Sequence, residues 1–188
     1  MDAPSFREGR KHPCRKAKNV RMSIFWPLFS CFVRDSVRPM EQARYTYRFY
    51  PTQEQKTQLS QTFGCTRFVY NWGLRAGLDA FKENDTLPSP STLDKSLTKL
   101  KQSPEFGWLQ HVSCVPLQQA LRDLGQAWSN CFAGRARRPK FKRKYGAQSA
   151  RYTKRGFSYR SGQVKLAKMS QPLEVRWSRP LPCEPSSC

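Results

Sequence analysis

Acidic side chains are scarce in this chain. Thirteen Asp and Glu stand against 34 Lys and Arg in 188 residues, for a net charge of +21 and an isoelectric point near 10.2. A charge of about 2 to 8 in magnitude is ordinary for a small domain, so this surplus calls for a polyanionic partner. The scarcity also counts against metal-dependent nuclease chemistry, which needs converging carboxylates to hold divalent ions. Asp79, Glu83 and Asp123 fall at polar positions of helical patterns, and neither Glu174 nor Glu184 has a partner carboxylate.

Other absences narrow the class further. There is no P-loop, G-x-S-x-G or H-E-x-x-H pattern. Seven cysteines, at 14, 31, 65, 114, 131, 183 and 188, form no C-x-x-C pair, and His12 and His111 lack metal-ligand spacing to them. An odd, scattered set argues against a disulfide framework and for reduced thiols in the cytoplasm. The apolar run at residues 23–33 (SIFWPLFSCFV) follows basic residues, like a signal peptide. It is shorter than the about 20 residues that span a bilayer, and no A-x-A cleavage site follows it. We read residues 1–39 as an appended leader, disordered and dispensable for binding, with Met40 an alternative start. The chain is expected to need no cofactor, no metal and no membrane.

The positive charge is concentrated towards the carboxy terminus. Residues 1–43 carry 9 basic and 4 acidic side chains, residues 44–123 carry 10 and 7, and residues 124–188 carry 15 and 2. A block of that kind neutralises phosphates, and its affinity should fall steeply with salt because binding releases counterions.

Periodicity supplies the architecture. RYTYRFYP, from Arg44, alternates with period two, Tyr45, Tyr47 and Phe49 on one face and Arg44 and Arg48 on the other, and Pro51 closes it. Thr52 and Gln55 make a capping box that opens a helix through Leu59 and Phe63. Gly64 is expected to break that helix, and Phe68, Val69, Trp72, Ala76 and Ala80 begin a second, giving a helix-turn-helix pattern. After a loop at 85–91, Ser91 and Asp94 form a second expected capping box, for a helix with Leu93, Leu97 and Leu100 inward. Ser113 then caps a longer helix, with Pro116 near its first turn, whose stripe is Leu117, Leu121, Leu124, Trp128 and Cys131; Gly134 ends it. Strand-type segments ARYT, GFSY, QVKL and LEVRW follow.

Between the last helix and these strands lies RARRPKFKRK. Arg135, Arg137, Arg138, Lys140, Lys142, Arg143 and Lys144 supply guanidinium forks and ammonium charges for phosphate, and Phe141 is available to pack or stack. Arg151 and Tyr152 come next as candidates, since aromatics on an OB-like face can stack bases, although barrel core explains such aromatics at least as well. A weaker set for duplex contact is Gln118, Gln119 and Arg122 on the polar face of the helix after Ser113, because Gln can read adenine; a solvated face explains them about as well. A rival reading, a stand-alone helix-turn-helix regulator, would use Arg67, Asn71 and Arg75 as base readers.

The chain from Met40 to about Pro182 resembles the amino-terminal part of the TnpB (OrfB) transposase-associated proteins of insertion sequences. The likeness rests on RYTYRFYPTQEQ, TFGCTRFVYNWGL, VPLQQALRDLGQAWSNCFAG, RRPKFKRK, SARY and LEVRWSRPLP, in that family's order and spacing. It implies a recognition lobe, residues 40–84 its helix-turn-helix-like segment and 85–134 the rest, inserted into a wedge-like β barrel completed by residues 135–182, with 183–188 a tail. The fold expected is therefore α+β, a helical bundle inserted into a small OB-like barrel. Full-length relatives are RNA-guided DNA nucleases whose RuvC-like acidic triad and zinc ribbon follow the equivalent of SRPLP. This chain ends at Cys188, so the resemblance implies a truncated relative without cleavage chemistry. It would bind guide RNA, duplex DNA or both, be nucleoid-associated, and work with a nuclease part only if one is encoded separately. A nonfunctional gene fragment is the third reading.

Overall fold

The computed structural model describes residues 28–34, 42–84, 86–181 and 183–188. Three long helices and two small sheets make up the fold, a mixture of the expected α+β kind. The element order is β1 (Leu28–Arg34), β2 (Gln42–Phe49), α1 (Gln53–Asn84), α2 (Pro90–Gln102), a 3-10 helix (Pro104–Gln110), α3 (Cys114–Phe132), β3 (Phe157–Arg160), β4 (Gln163–Leu166), β5 (Val175–Arg176) and β6 (Pro185–Ser187).

The expected capping box opens α1. Thr52 Oγ1 accepts from the Gln55 amide at 3.3 Å, and Gln55 Oε1 accepts from the Thr52 amide at 3.1 Å. Gln55 is buried, and its Nε2 donates to the Pro172 carbonyl at 3.0 Å, so the cap also fastens the helix to the β module. The break expected at Gly64 does not occur: α1 runs unbroken for 32 residues, about 48 Å at 1.5 Å per residue. A mid-helix glycine costs about 1 kcal/mol relative to alanine, and packing on both sides of it outweighs that. Leu59 and Phe63 lie in one core with Phe49, Tyr152, Val164, Leu166 and Leu173; Cys65 and Val69 lie in the next with Leu93, Leu97, Leu109, Leu117 and Leu121.

The start of α2 is also shifted. Ser89, not Ser91, is the cap, its Oγ accepting from the Thr92 amide at 3.1 Å, with Pro90 in the first turn where its missing N–H costs nothing. Ser113 caps α3 as expected. Leu117, Leu121, Leu124 and Trp128 are buried, and α3 crosses α1 closely at Gly73, where a Cβ would meet Leu121 Cδ2 at 2.7 Å.

The larger sheet has the order β5-β2-β1-β6, and β3-β4 is a separate hairpin. The described strands do not close into the expected OB-like barrel. Ser161 and Gly162, at φ 48° and 78°, turn the hairpin as a two-residue loop with both φ positive requires, and Trp177 Nε1 donates to the Gly162 carbonyl at 2.8 Å. Two segments read from the sequence as leader and tail are paired. Residues 28–34 of the supposed leader form β1, in register with β2 from Leu28↔Arg48 to Arg34↔Gln42; an aromatic and β-branched run suits a strand, and β2 offers it an edge. The rest of the leader, residues 1–27 and 35–39, and Met40 lie outside the described residues. In the tail, β6 pairs with β1, and Cys188 exchanges backbone hydrogen bonds with Tyr152 at 2.6 and 2.8 Å, satisfying groups that an open edge would leave unpaired.

The β module touches α3 at Gly156, where a Cβ would meet Val115 Cγ1 and Tyr152 Cδ1, each at 2.9 Å. Neither neighbour is the end of a flexible chain, so Gly156→Ala should destabilise the fold by about 1–3 kcal/mol through overpacking. Thermal melting checks this, and an unchanged melting temperature would show that the contact gives way without cost.

Candidate nucleic-acid interface

At Gly134 the chain leaves α3 through a left-handed residue, φ +68°. The Gly134 amide donates to the Cys131 carbonyl at 3.0 Å and the Arg135 amide to the Asn130 carbonyl at 2.9 Å, the paired bonds of a Schellman end. Residues 135–148 then run without helix or strand. Pro139 removes a donor, and seven like charges within ten residues oppose a compact helix of their own.

This strap is nevertheless held at defined points along one face of α1. Asn71 Nδ2 donates to the Lys142 carbonyl at 3.0 Å, and Asn71 Oδ1 accepts from the Lys142 amide at 2.8 Å. Gln148 Nε2 reaches the carbonyls of Arg143, Lys144 and Gly146 at 2.9, 2.8 and 3.0 Å, and its Oε1 accepts from Arg67 at 3.3 Å. Three cation–ring contacts join these bonds: Lys142 Nζ lies 4.3 Å from the Tyr70 ring centre, the Arg75 guanidinium 5.9 Å from that of Phe141, and the Arg138 guanidinium 5.7 Å from that of Trp128. Arg67, Tyr70, Asn71 and Arg75 follow one another at steps of three, one and four, one stripe of a helix.

The stripe and strap divide the basic residues into two kinds. Lys142 is half-buried, and burial pushes its ammonium pKa below the usual lysine value; it packs on Tyr70 and serves the strap itself. Arg135, Arg137, Arg138, Lys140, Arg143 and Lys144 are exposed, so six of the seven expected phosphate contacts present their charge to solvent along a fixed path. Phe141 and Tyr145, exposed on the same strap, add aromatic faces.

The remaining candidates separate by burial. Tyr152 is 4% exposed and lies in the core with Phe49 and Leu59; burial raises its pKa while a hydrogen bond with Thr62 lowers it. It packs and does not stack bases. Gln119 is 6% exposed; it stands two residues from both Leu117 and Leu121, on the other side of α3 from their stripe, and its burial keeps it from a groove. Gln118 is half-buried and Arg122 exposed, and Arg122 lies near enough to Asp94 of α2 to counter the rise in that carboxyl's pKa caused by burial. Arg151 is exposed and forms an ion pair with Asp123 of α3; burial of part of its side chain and the charge of Arg44 both press its pKa down. It joins the β module to α3 as much as it extends the basic surface.

Arg67, Asn71 and Arg75, the expected base readers of the rival reading, are the strap's fastenings. Sequence reasoning found their polar stripe but not its partner, which lies about seventy residues away in the chain. Gln148 was missed, having no signal beyond a polar residue after the basic run.

The sequence is similar to that of known proteins. A family model described as a helix-turn-helix domain matches residues 40–86, which here comprise β2 and the unbroken α1. The chain is 47% identical over 146 residues to the "Putative RNA-guided DNA endonuclease" of Streptomyces pristinaespiralis, covering 76% of this chain and 36% of that protein. It is 35% identical over 106 residues to "Virulence protein VsdF" of Salmonella dublin, covering 52% of this chain and 89% of that one. With "Putative RNA-guided DNA endonuclease InsQ" of Escherichia coli K12 it shares 28% over 108 residues, 57% of this chain and 27% of the relative. The chain thus spans about a third of the two proteins named as endonucleases.

Removing the Asn71 amide should release the strap without altering its charge. In Asn71→Ala, the Lys142 amide should exchange with solvent roughly 10- to 100-fold faster, at about 0.5–1.5 kcal/mol for each of two lost hydrogen bonds, while the buried amides of α3 keep their protection. Unchanged exchange at Lys142 would show that the ring contacts alone hold the strap.

Proposed function

The chain belongs to the TnpB (OrfB) family of insertion-sequence proteins, and from that premise we propose that it binds nucleic acid through the strap at residues 135–148. One observation carries this reading: exposed cations are held in a fixed order by neutral hydrogen bonds and aromatic faces, which leaves their charge uncancelled. Ion pairs with carboxylates could also fix such a strap, but they would neutralise it. Instead the strap offers guanidinium forks and ammonium groups spaced along an extended backbone, the chemistry of a phosphate chain. Its aromatic faces suit unpaired bases, so the substrate is a strand with accessible bases, RNA or opened DNA, more than a closed duplex.

The proposal extends to chemistry: the chain binds and does not cut. Two of its carboxylates have other partners, Asp123 with Arg151 and Glu54 with Ser170, and Asp94 on α2 is half-buried. No group of three potential metal-ligating side chains occurs among the described residues. RNA guidance and DNA cleavage are functions that the names of two relatives carry, and here binding alone is proposed. No helix among the described residues is long and apolar enough to cross a membrane.

Two measurements test the reading. Replacing Arg137, Arg138 and Lys140 together by Gln should lower the slope of log affinity against log salt by roughly 2 to 3, at about 0.7–0.9 for each phosphate contact, with little change in melting temperature because exposed charges contribute weakly to stability. An unchanged slope with a lowered melting temperature would make the strap a structural element. With Mg²⁺ or Mn²⁺ and labelled single-stranded and plasmid DNA, the purified chain should leave the substrate intact; metal-dependent cutting that copurifies with it would overturn the second half of the proposal.

A further inference from the structure

We propose that a pocket beside the middle of α1 receives one unpaired nucleobase of the strand bound on the strap, an inference that rests on the nucleic-acid reading above. The pocket, of about 380 Å³, lies between α1 and the segment around the 3-10 helix and is lined by Gln61, Gly64, Arg67, Trp108 and His111, with Val112 among its apolar surfaces. That volume falls within the range of small-molecule sites.

Gly64 is the feature that the fold leaves unexplained. A Cβ there would meet nothing within 4 Å among the described residues, and the residue has no left-handed φ. The glycines farther along the same helix differ: a Cβ at Gly73 would strike Leu121, and one at Gly77 would rest on Leu87 and Trp128. A helix interior disfavours glycine, and neither packing among the described residues nor backbone geometry demands one here. What its missing side chain preserves is the open floor of the pocket.

The walls suit a base. Trp108 is 40% exposed, yet its ring is held edge-on against Phe68, with centroids 5.1 Å apart, so a half-open aromatic surface stands at the pocket in a fixed orientation for stacking. Gln61 and His111 offer both donors and acceptors, as base edges require. Arg67 joins the pocket to the strap: it lines the pocket and also bonds Gln148, which gathers the carbonyls of Arg143, Lys144 and Gly146. A strand whose phosphates follow residues 137–144 therefore passes the mouth of the pocket.

The test fills the floor. In the full chain, Gly64→Leu should weaken binding of oligodeoxyadenosine by about tenfold, or about 1.4 kcal/mol, within the range of one stacked base. It should leave binding of an abasic oligonucleotide of the same length unchanged. Its melting temperature should hold or rise, by about 2–4 °C for each kcal/mol of helix propensity gained. Trp108→Ala should give the same split between the two strands and serves if Gly64→Leu folds poorly. Unaltered oligodeoxyadenosine binding in the folded variants, or an equal loss on both strands, would overturn the base pocket while leaving the strap intact. A wild-type chain that binds neither strand would instead overturn nucleic-acid binding itself.

Discussion

Along its 32 residues, α1 serves three structures in turn. Its first turns close the β module, with Gln55 capping the helix and tying down Pro172 while Leu59 enters the core around Phe49 and Val164. Its middle and last turns pack on α2 and α3 through Val69 and Leu74, both fully buried, and through the close approach at Gly73. Its remaining stripe, from Arg67 to Arg75, receives the strap. Were the helix to break at Gly64, the core around Phe49 and the core around Leu117 would lose their common axis. The strap would then be anchored to only one of them.

The strap shows how a run of like charges is given a shape. Repulsion among neighbouring cations favours an extended chain, and ion pairs would order it only by neutralising the groups a polyanion needs. Asn71 and Gln148 solve this with uncharged amides that bond to backbone. Tyr70, Trp128 and Phe141 attract cations through ring faces without cancelling their charge. On the proposed reading, the repulsion that remains would be relieved by bound phosphates, and part of the binding energy would be prepared in the free protein. Lys142, drawn into that framework, gives up its availability to do so.

Arg151 and Asp123, with Gly156 against Val115, join the β module to α3 from the other side. The two ends of the strap thus leave from bodies already locked together, α3 at Gly134 and the β module after Gln148. A loop so bounded loses less conformational freedom on binding than a free basic tail of equal charge.

Local physics was legible from the residues. The capping box at Thr52 and Gln55, the cap at Ser113, the glycine end at Gly134, the buried stripe of α3 and the basic run between helix and strands each rest on neighbours within a few positions, where propensity and periodicity act. Tertiary structure decided the rest. Packing on both flanks carried α1 through Gly64 against its local preference, Tyr152 was drawn inward by a core assembled from distant segments, and Gln119 was buried on α3. Residues 28–34 and 185–187 found strand partners because β2 and then β1 left open edges. Asn71 looked like a base reader until Lys142, brought back by the whole course of α2 and α3, occupied its amide. A polar side chain's type states which bonds it can make, and only the fold determines which partner reaches it first.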